Sequence, residues 1–221
     1  AAVDTVASQQ AFKLKIENVE LNNVNISYID QQSKMQAEIH DLVCQFSGAM
    51  DSVNFSSKVN VENSLVSFIL EGVPYLNNAK IGMEVVSNLD LSKSLIDFDD
   101  SKFLINGIDI SFKGSVEDDT LNKRINTNIT YSTNKFSVPS LIGLIPPSFQ
   151  SYTEGMTLDG FATSDGKISG FYSASGMPLM DIHIVLSEGN ISYTALPWPL
   201  NNAKGDFVFY SDLTNDDITY F

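Results

Sequence analysis

Two histidines, one cysteine and several clusters of acids are the side chains of this 221-residue chain with the types for chemistry. His40 sits beside Asp41, and His183 alternates with Ile182 and Ile184. A metal centre needs three or four converging His, Cys, Asp or Glu ligands, and nothing here is spaced for that. Both histidines read as structural or surface groups. Cys44 lies in an apolar stretch without a cationic neighbour to lower its pKa, so it reads as a buried, inert thiol. The run Gly170-Phe171-Tyr172-Ser173-Ala174-Ser175-Gly176 is rich in serine and glycine. It is not Gly-x-Ser-x-Gly, and it lacks the strand-to-helix setting that exposes a nucleophile. It reads as a turn.

The acids fall into three clusters: Asp97, Asp99 and Asp100; Glu117, Asp118 and Asp119; Asp216 and Asp217. None carries the glycine and distal glutamate of an EF-hand loop. They read as solvated hairpin tips. A glycosidase pair needs two carboxylates about 5–10 Å apart, and no spacing singles out such a pair. Asn25-Ile26-Ser27, Asn54-Phe55-Ser56, Asn128-Ile129-Thr130 and Asn190-Ile191-Ser192 fit the glycosylation sequon, at a density that follows from an asparagine-rich sequence. No catalytic residue, metal ligand or cofactor site is assigned. What remains is apolar surface.

The totals narrow the partners. A net charge of −14 and a pI near 4.3 argue against nucleic acid, which demands clustered Lys and Arg. They also argue against docking through a polybasic patch. Lipid held by its tails stays open, because that contact is hydrophobic. A single cysteine excludes an intrachain disulfide. A hydrophobic fraction of 43% supports a sizeable core. No apolar run approaches the roughly 18–20 residues of a membrane helix, and no signal peptide is visible. Residues 1–10 are small and polar and read as a flexible segment. Residues 11–221 contain no linker and read as one β-rich domain.

The elements follow from alternation. Leu14 and Ile16 alternate with lysines, the phase slips near Asn18, and Val24, Ile26 and Tyr28 resume it, which suggests a bulge. Residues 37–46 form the partner strand. Leu65 to Leu70 reads as a strand buried on both faces. Ile81, Met83 and Val85 form the next. Asp97 to Ser101 reads as an acidic turn. Asn106-Gly107 is the strongest hairpin signal, and Asp165-Gly166 is a second. About a dozen strands are expected at 8–12-residue spacing. One segment breaks the pattern: Pro139 starts a short helix that Pro146 and Pro147 stop, with Leu141, Ile142, Leu144 and Ile145 on one apolar side.

The chain also repeats itself. Asn25-Ile26-Ser27-Tyr28 matches Asn190-Ile191-Ser192-Tyr193. Leu76-Asn77-Asn78-Ala79-Lys80 follows Val73-Pro74, and Leu200-Asn201-Asn202-Ala203-Lys204 follows Pro197-Trp198-Pro199. The unit is strand, proline-marked hinge, strand.

The order of these motifs resembles the C-terminal region of the AsmA family, bacterial envelope proteins related to TamB. The residues that carry it are Leu14 to Asp30, Gly72 to Asp90, Leu104 to Val116 with Ile-Asn-Gly, Leu141 to Pro146, and Gly170 to Phe207 with Met-Pro, Asn-Ile-Ser-Tyr and Leu-Pro-Trp-Pro. The resemblance spans most of residues 12–210. It implies a Gram-negative, periplasmic, non-enzymatic segment of a protein anchored in the inner membrane by a helix absent from this chain. It further implies a curved β-groove that conducts phospholipid in support of outer-membrane assembly.

The expected fold is all-β: a strongly curved, mostly antiparallel, groove-like sheet of strand–hinge–strand repeats with one short helix near 139–146. Candidate groove residues are Leu14, Ile16, Val24, Ile26, Tyr28, Phe68, Leu70, Ile81, Met83 and Val85, facing phospholipid acyl chains. Leu141, Ile142, Leu144 and Ile145 would plug the groove. Periodicity alone equally fits a closed sandwich core. An extracellular adhesion or carbohydrate-binding sandwich, with Trp198 in a stacking platform, is the alternative.

Overall fold

The computed structural model describes residues 13–145, 154–173, 176–194, 197–212 and 218–220. The expected flexible segment 1–10, the pair Asp216 and Asp217, and the stop signal Pro146-Pro147 lie outside them. The chain is all-β. Its strands are β1 (Lys13–Asp30), β2 (Met35–Asp51), β3 (Asn54–Leu70), β4 (Val73–Asp90), β5 (Leu95–Ile105), β6 (Ile108–Asp119), β7 (Arg124–Thr133) and β8 (Phe136–Ser137). The helix α1 (Val138–Ile142) follows, then β9 (Met156–Tyr172), β10 (Leu179–Tyr193), β11 (Leu200–Asp212) and β12 (Ile218–Tyr220). All strands join one antiparallel sheet in chain order, with β8 paired to β9 beside the end of β7. β1 and β12 stand at opposite edges, so the sheet does not close into a barrel.

Local chemistry sets the reversals. Asn106 and Gly107 have φ of 48° and 85°, and Glu71 and Gly72 have 52° and 82°, the left-handed pair of a two-residue hairpin turn. Three longer turns share another device. Asp30, Asp90 and Asp119 each accept a backbone N–H from inside the following loop, at 2.8, 3.0 and 3.2 Å. Those loops end on left-handed Lys34, Ser94 and Lys123.

Two expected turns are strand instead. Asp165 and Gly166 sit in the middle of β9, paired to both β7 and β10. A β-carbon at Gly166 would meet the Asp181 carbonyl and the Tyr131 ring, so glycine marks a close approach there. Asp97 to Ser101 lies within β5, where Asp99 and Asp100 form a bulge between Phe98 and Ser101. Leu65 to Leu70 belongs to a strand with one polar-side neighbour set, not to a doubly covered one.

Strands are also longer than the expected spacing, up to 18 residues. The phase slips are bulges inside them, and a recurring four-residue unit makes six of these. It runs apolar, any residue, left-handed residue, then a residue back on the first face. The copies are Leu21–Val24, Ile39–Leu42, Val61–Ser64, Leu76–Ala79, Leu186–Gly189 and Leu200–Ala203. The left-handed members are Asn23, Asp41, Asn63, Asn78, Glu188 and Asn202, with φ between 42° and 55°. Asparagine and aspartate tolerate this region best among residues with a β-carbon. The repeated Leu-Asn-Asn-Ala-Lys is therefore one bulge used in β4 and again in β11.

The accessible surface is 14931 Å², against about 10,000 Å² for a compact monomer of this mass. A single-layer sheet with both faces open contributes to the excess. The buried cluster is small: Ile108, Phe136, Val138, Ala162 and Leu186. It forms where α1 folds back over β6, β9 and β10. Pro139 supplies the helix start, and the Gly143 N–H closes it on the Pro139 carbonyl at 2.9 Å.

Candidate functional site

Residues paired across an antiparallel sheet share a face, so the register sorts every strand residue onto one side or the other. Leu21, Cys44, Val61, Met83, Phe103 and Ile110 form one continuous row across β1 to β6. Leu14, Met50, Phe55, Leu89, Ile96 and Val116 form another. In the second half, Ile129, Ile168 and Met180 are in register, as are Ile184 and Phe207. The opposite face is mostly polar, although Ile29, Leu65, Ile69, Leu104, Val185 and Val208 lie on it. Its row Lys15, Ala49, Ser56, Asn88, Asp97, Ser115, Asn128, Ser169 holds no large apolar side chain.

Bulges keep the apolar rows on one side. Each shifts the alternation by one residue, and the sequence shifts with it. Ile39 and Leu42, three apart, both face β1 residues that are two apart, Ile26 and Val24. Without the extra residue every apolar side chain beyond would turn to the polar side. Bulges also bend a strand, and the bend shows in burial. Leu42, Ser64, Ala79 and Ile81 are buried at 7%, 1%, 2% and 7% exposure, on strands that α1 does not cover. Their neighbours on the same face bury them, as the inside of a curved sheet requires.

All ten candidate groove residues lie on this apolar face. Leu14, Ile16, Val24, Ile26 and Tyr28 line it on β1, Phe68 and Leu70 on β3, and Ile81, Met83 and Val85 on β4. They differ in depth: Ile81 is buried, while Tyr28 is 53% exposed near the edge strand's end. Of the four residues expected in the helix, Leu144 and Ile145 lie beyond its end at Ile142, and Ile142 and Leu144 pack against the buried cluster. Ile145 is half-buried and Leu141 is exposed. The sequence reading missed Leu21, Phe46, Phe98, Phe103, Ile110 and Phe207, among others on the same face. For Leu21, Phe46 and Phe207 the signal is the left-handed Asn or Asp that resets the alternation within their strands.

The polar side chains with potential chemistry are placed elsewhere. His40 lies on the polar face, 3.6 Å from Glu38. His183 bridges two strands, with Nε2 2.7 Å from Asp206 Oδ1 and Nδ1 3.3 Å from Asp165 Oδ1. Those two carboxylates raise its pKa above the usual histidine value, Asp206 most. Cys44 is half-buried on the apolar face rather than fully enclosed. Shallow depressions occur between strands, one of about 1060 Å³ bordered on the polar side by Asn88, Asp97, Lys113, Ser115 and Asn128. These are open hollows between exposed strands. Trp198 is 79% exposed in the connection between β10 and β11.

No family model, no curated protein and no solved structure matches the chain.

Proposed function

We propose that this chain is a non-enzymatic lipid-binding segment that holds phospholipid by its acyl chains along the apolar face of the curved sheet and lets it move along the strand order. The observation that carries the reading is the continuous apolar face. It runs in register from β1 to β11 with large side chains left open to solvent, including Leu14, Val19, Leu21, Ile26 and Phe207. Soluble monomers rarely leave so large a patch uncovered unless something binds there. Each acyl methylene removed from water contributes about 0.8 kcal/mol, so ten contribute about 8 kcal/mol with no polar recognition. A face of aliphatic and aromatic side chains without fixed polar partners suits an occupant that must slide. The resemblance to the AsmA family supports placing this activity in the periplasm of a Gram-negative envelope, in service of outer-membrane maintenance.

The test is site-specific photo-crosslinking at Phe68 and Met83 on the apolar face, with Asn60 and Lys102 on the polar face as controls. Native mass spectrometry of protein purified from membranes reads the adduct. Lipid adducts at Phe68 and Met83, with none at the controls, are expected. Equal labelling at all four positions, or none, defeats the reading.

A further inference from the structure

The two rims of the sheet are built differently. On one rim three hairpin tips are polar, Gln31-Gln32-Ser33-Lys34, Glu71-Gly72 and Asn106-Gly107, while the β10–β11 connection exposes Trp198. On the other, each of the four described hairpins carries an exposed apolar side chain. Val53 is 44% exposed, Leu91 48%, Leu121 94% and Met177 40%. They belong to the β2–β3, β4–β5, β6–β7 and β9–β10 connections. Those connections share one rim, because Lys13, Asp51, Asn54, Asp90 and Leu95 are in register at its start. Turn positions favour Gly, Asn, Asp, Ser and Pro. Scattered apolar residues need no explanation, but recurrence at four successive tips of one rim does.

Spacing and charge indicate what these tips meet. Successive hairpins on one rim are two strands apart, about 10 Å, so the four tips span about 29 Å. The Leu91 N–H donates to the Val53 carbonyl at 2.9 Å, which ties the first two together. Cations sit at the same turns. Lys93 pairs with Asp90 at 2.9 Å, Arg124 with Asp119 at 2.9 Å, and Lys13 with Asp51 at 3.5 Å. Lys123 is exposed beside Leu121. Acids are also present there, with Asp51, Asp90, Asp97, Glu117, Asp118 and Asp119 set among Lys13, Lys93, Lys123 and Arg124, so the rim is not cationic and its apolar tips carry the contact. Separate aliphatic tips about 10 Å apart with lysines between them do not form the continuous, desolvated centre of a protein interface. A fluid lipid surface closes around each tip on its own, and long basic side chains reach its phosphates.

We propose that this rim docks on a phospholipid bilayer, with Val53, Leu91, Leu121 and Met177 inserted among the headgroups. The apolar face begins immediately behind the tips, at Leu14, Met50, Phe55, Leu89, Ile125 and Tyr172. An acyl chain passing from the bilayer to the face would cross little water. The docking itself does not rest on the acyl-chain reading; only its purpose does.

The full 221-residue chain is mixed with phosphatidylcholine vesicles and floated on a density gradient. Wild type is expected to float, L91S/L121S to float about tenfold less or lower, and W198S, altered on the other rim, to match wild type. Far-ultraviolet circular dichroism checks that the serine variant folds. A second measurement places tryptophan directly. In W198F/L121W the emission is expected to be quenched by lipids brominated near the top of the acyl chain, and Trp198 in wild type is not. Absence of flotation, flotation unaffected by L91S/L121S, or equal quenching at both rims overturns the proposal. So does a tip-dependent dimer without vesicle binding, which would assign the ridge to a second copy. Lipid captured at Phe68 and Met83 without flotation would remove the docking rim and leave the groove. Flotation without that capture would do the reverse.

Discussion

The side chain of Asn25 accepts the backbone N–H of Asp41 through Oδ1 at 3.1 Å. Asp41 is the left-handed residue of the β2 bulge, and its amide is turned out of the ladder there. Asn190 does the same for Asn202 in β11, at 3.4 Å. The echo Asn-Ile-Ser-Tyr and the bulge on the following strand are thus two halves of one device. On β4 the Ser67 hydroxyl serves Asn78 at 3.0 Å. Asn25→Ala should cost about 1 kcal/mol, the usual net worth of such a bond, and loosen β1 from β2. Urea denaturation reads the stability. Hydrogen exchange should show the Asp41 amide losing protection first.

The bulges also set a prediction on backbone conformation. Asn78 and Asn202 have φ of 48° and 54°. A β-branched residue is disfavoured in that region by about 1–2 kcal/mol, whereas glycine adopts it freely. Asn202→Val should lower the urea midpoint accordingly, and Asn202→Gly should stay within a few tenths of a kcal/mol of wild type. Equal losses in both variants would assign the cost to the Asn side chain rather than to φ.

Alternation made the strand content, the Asn106-Gly107 turn and the helix start legible from sequence. It also placed ten residues on a common face. Strand lengths were not legible, because a bulge and a strand end look alike in a hydrophobic pattern: both break the period of two. Asp99-Asp100 read as a turn because acids usually sit at tips, and here they bulge toward solvent within β5. Asp165-Gly166 read as a turn because Asp-Gly usually is one. Gly166 instead makes room for Tyr131 in mid-sheet, a tertiary demand that no local window shows. The open form was likewise beyond periodicity, since the same amphipathic strands would serve a closed sandwich.

Packing and binding should separate under mutation. Ile108 is 4% exposed in the cluster beneath α1. Ile108→Ala leaves a cavity and should cost about 2–4 kcal/mol. Leu21 is 36% exposed on the same face. Leu21→Ala should cost under about 1 kcal/mol, because little buried area is lost. Lipid capture at Met83, the same row as Leu21, should respond the other way: Leu21→Asp should reduce it while the protein stays folded at room temperature. Thermal melts and crosslinking yield on the same preparations check both halves.

The last prediction concerns pH. His183 is held above its ordinary value of 6.5 by its hydrogen bonds to Asp206 and Asp165. The folded state binds that proton more tightly than the unfolded chain. The resulting stability is therefore complete below the unfolded pKa and disappears as pH rises through the folded one. Asp90 works on the acid side. Its bonds to Ser92 and Lys93 pull it down to about 2, so its contribution is present above the ordinary 3.8 and lost as pH falls toward 2. Both groups are on the surface, so both effects should shrink in high salt. The His183 ring protons should titrate above 6.5 in a proton NMR series. Asp206→Asn should bring the midpoint down and remove the fall in β10–β11 protection on the alkaline side. A midpoint unchanged by that substitution would assign the shift to Asp165 instead.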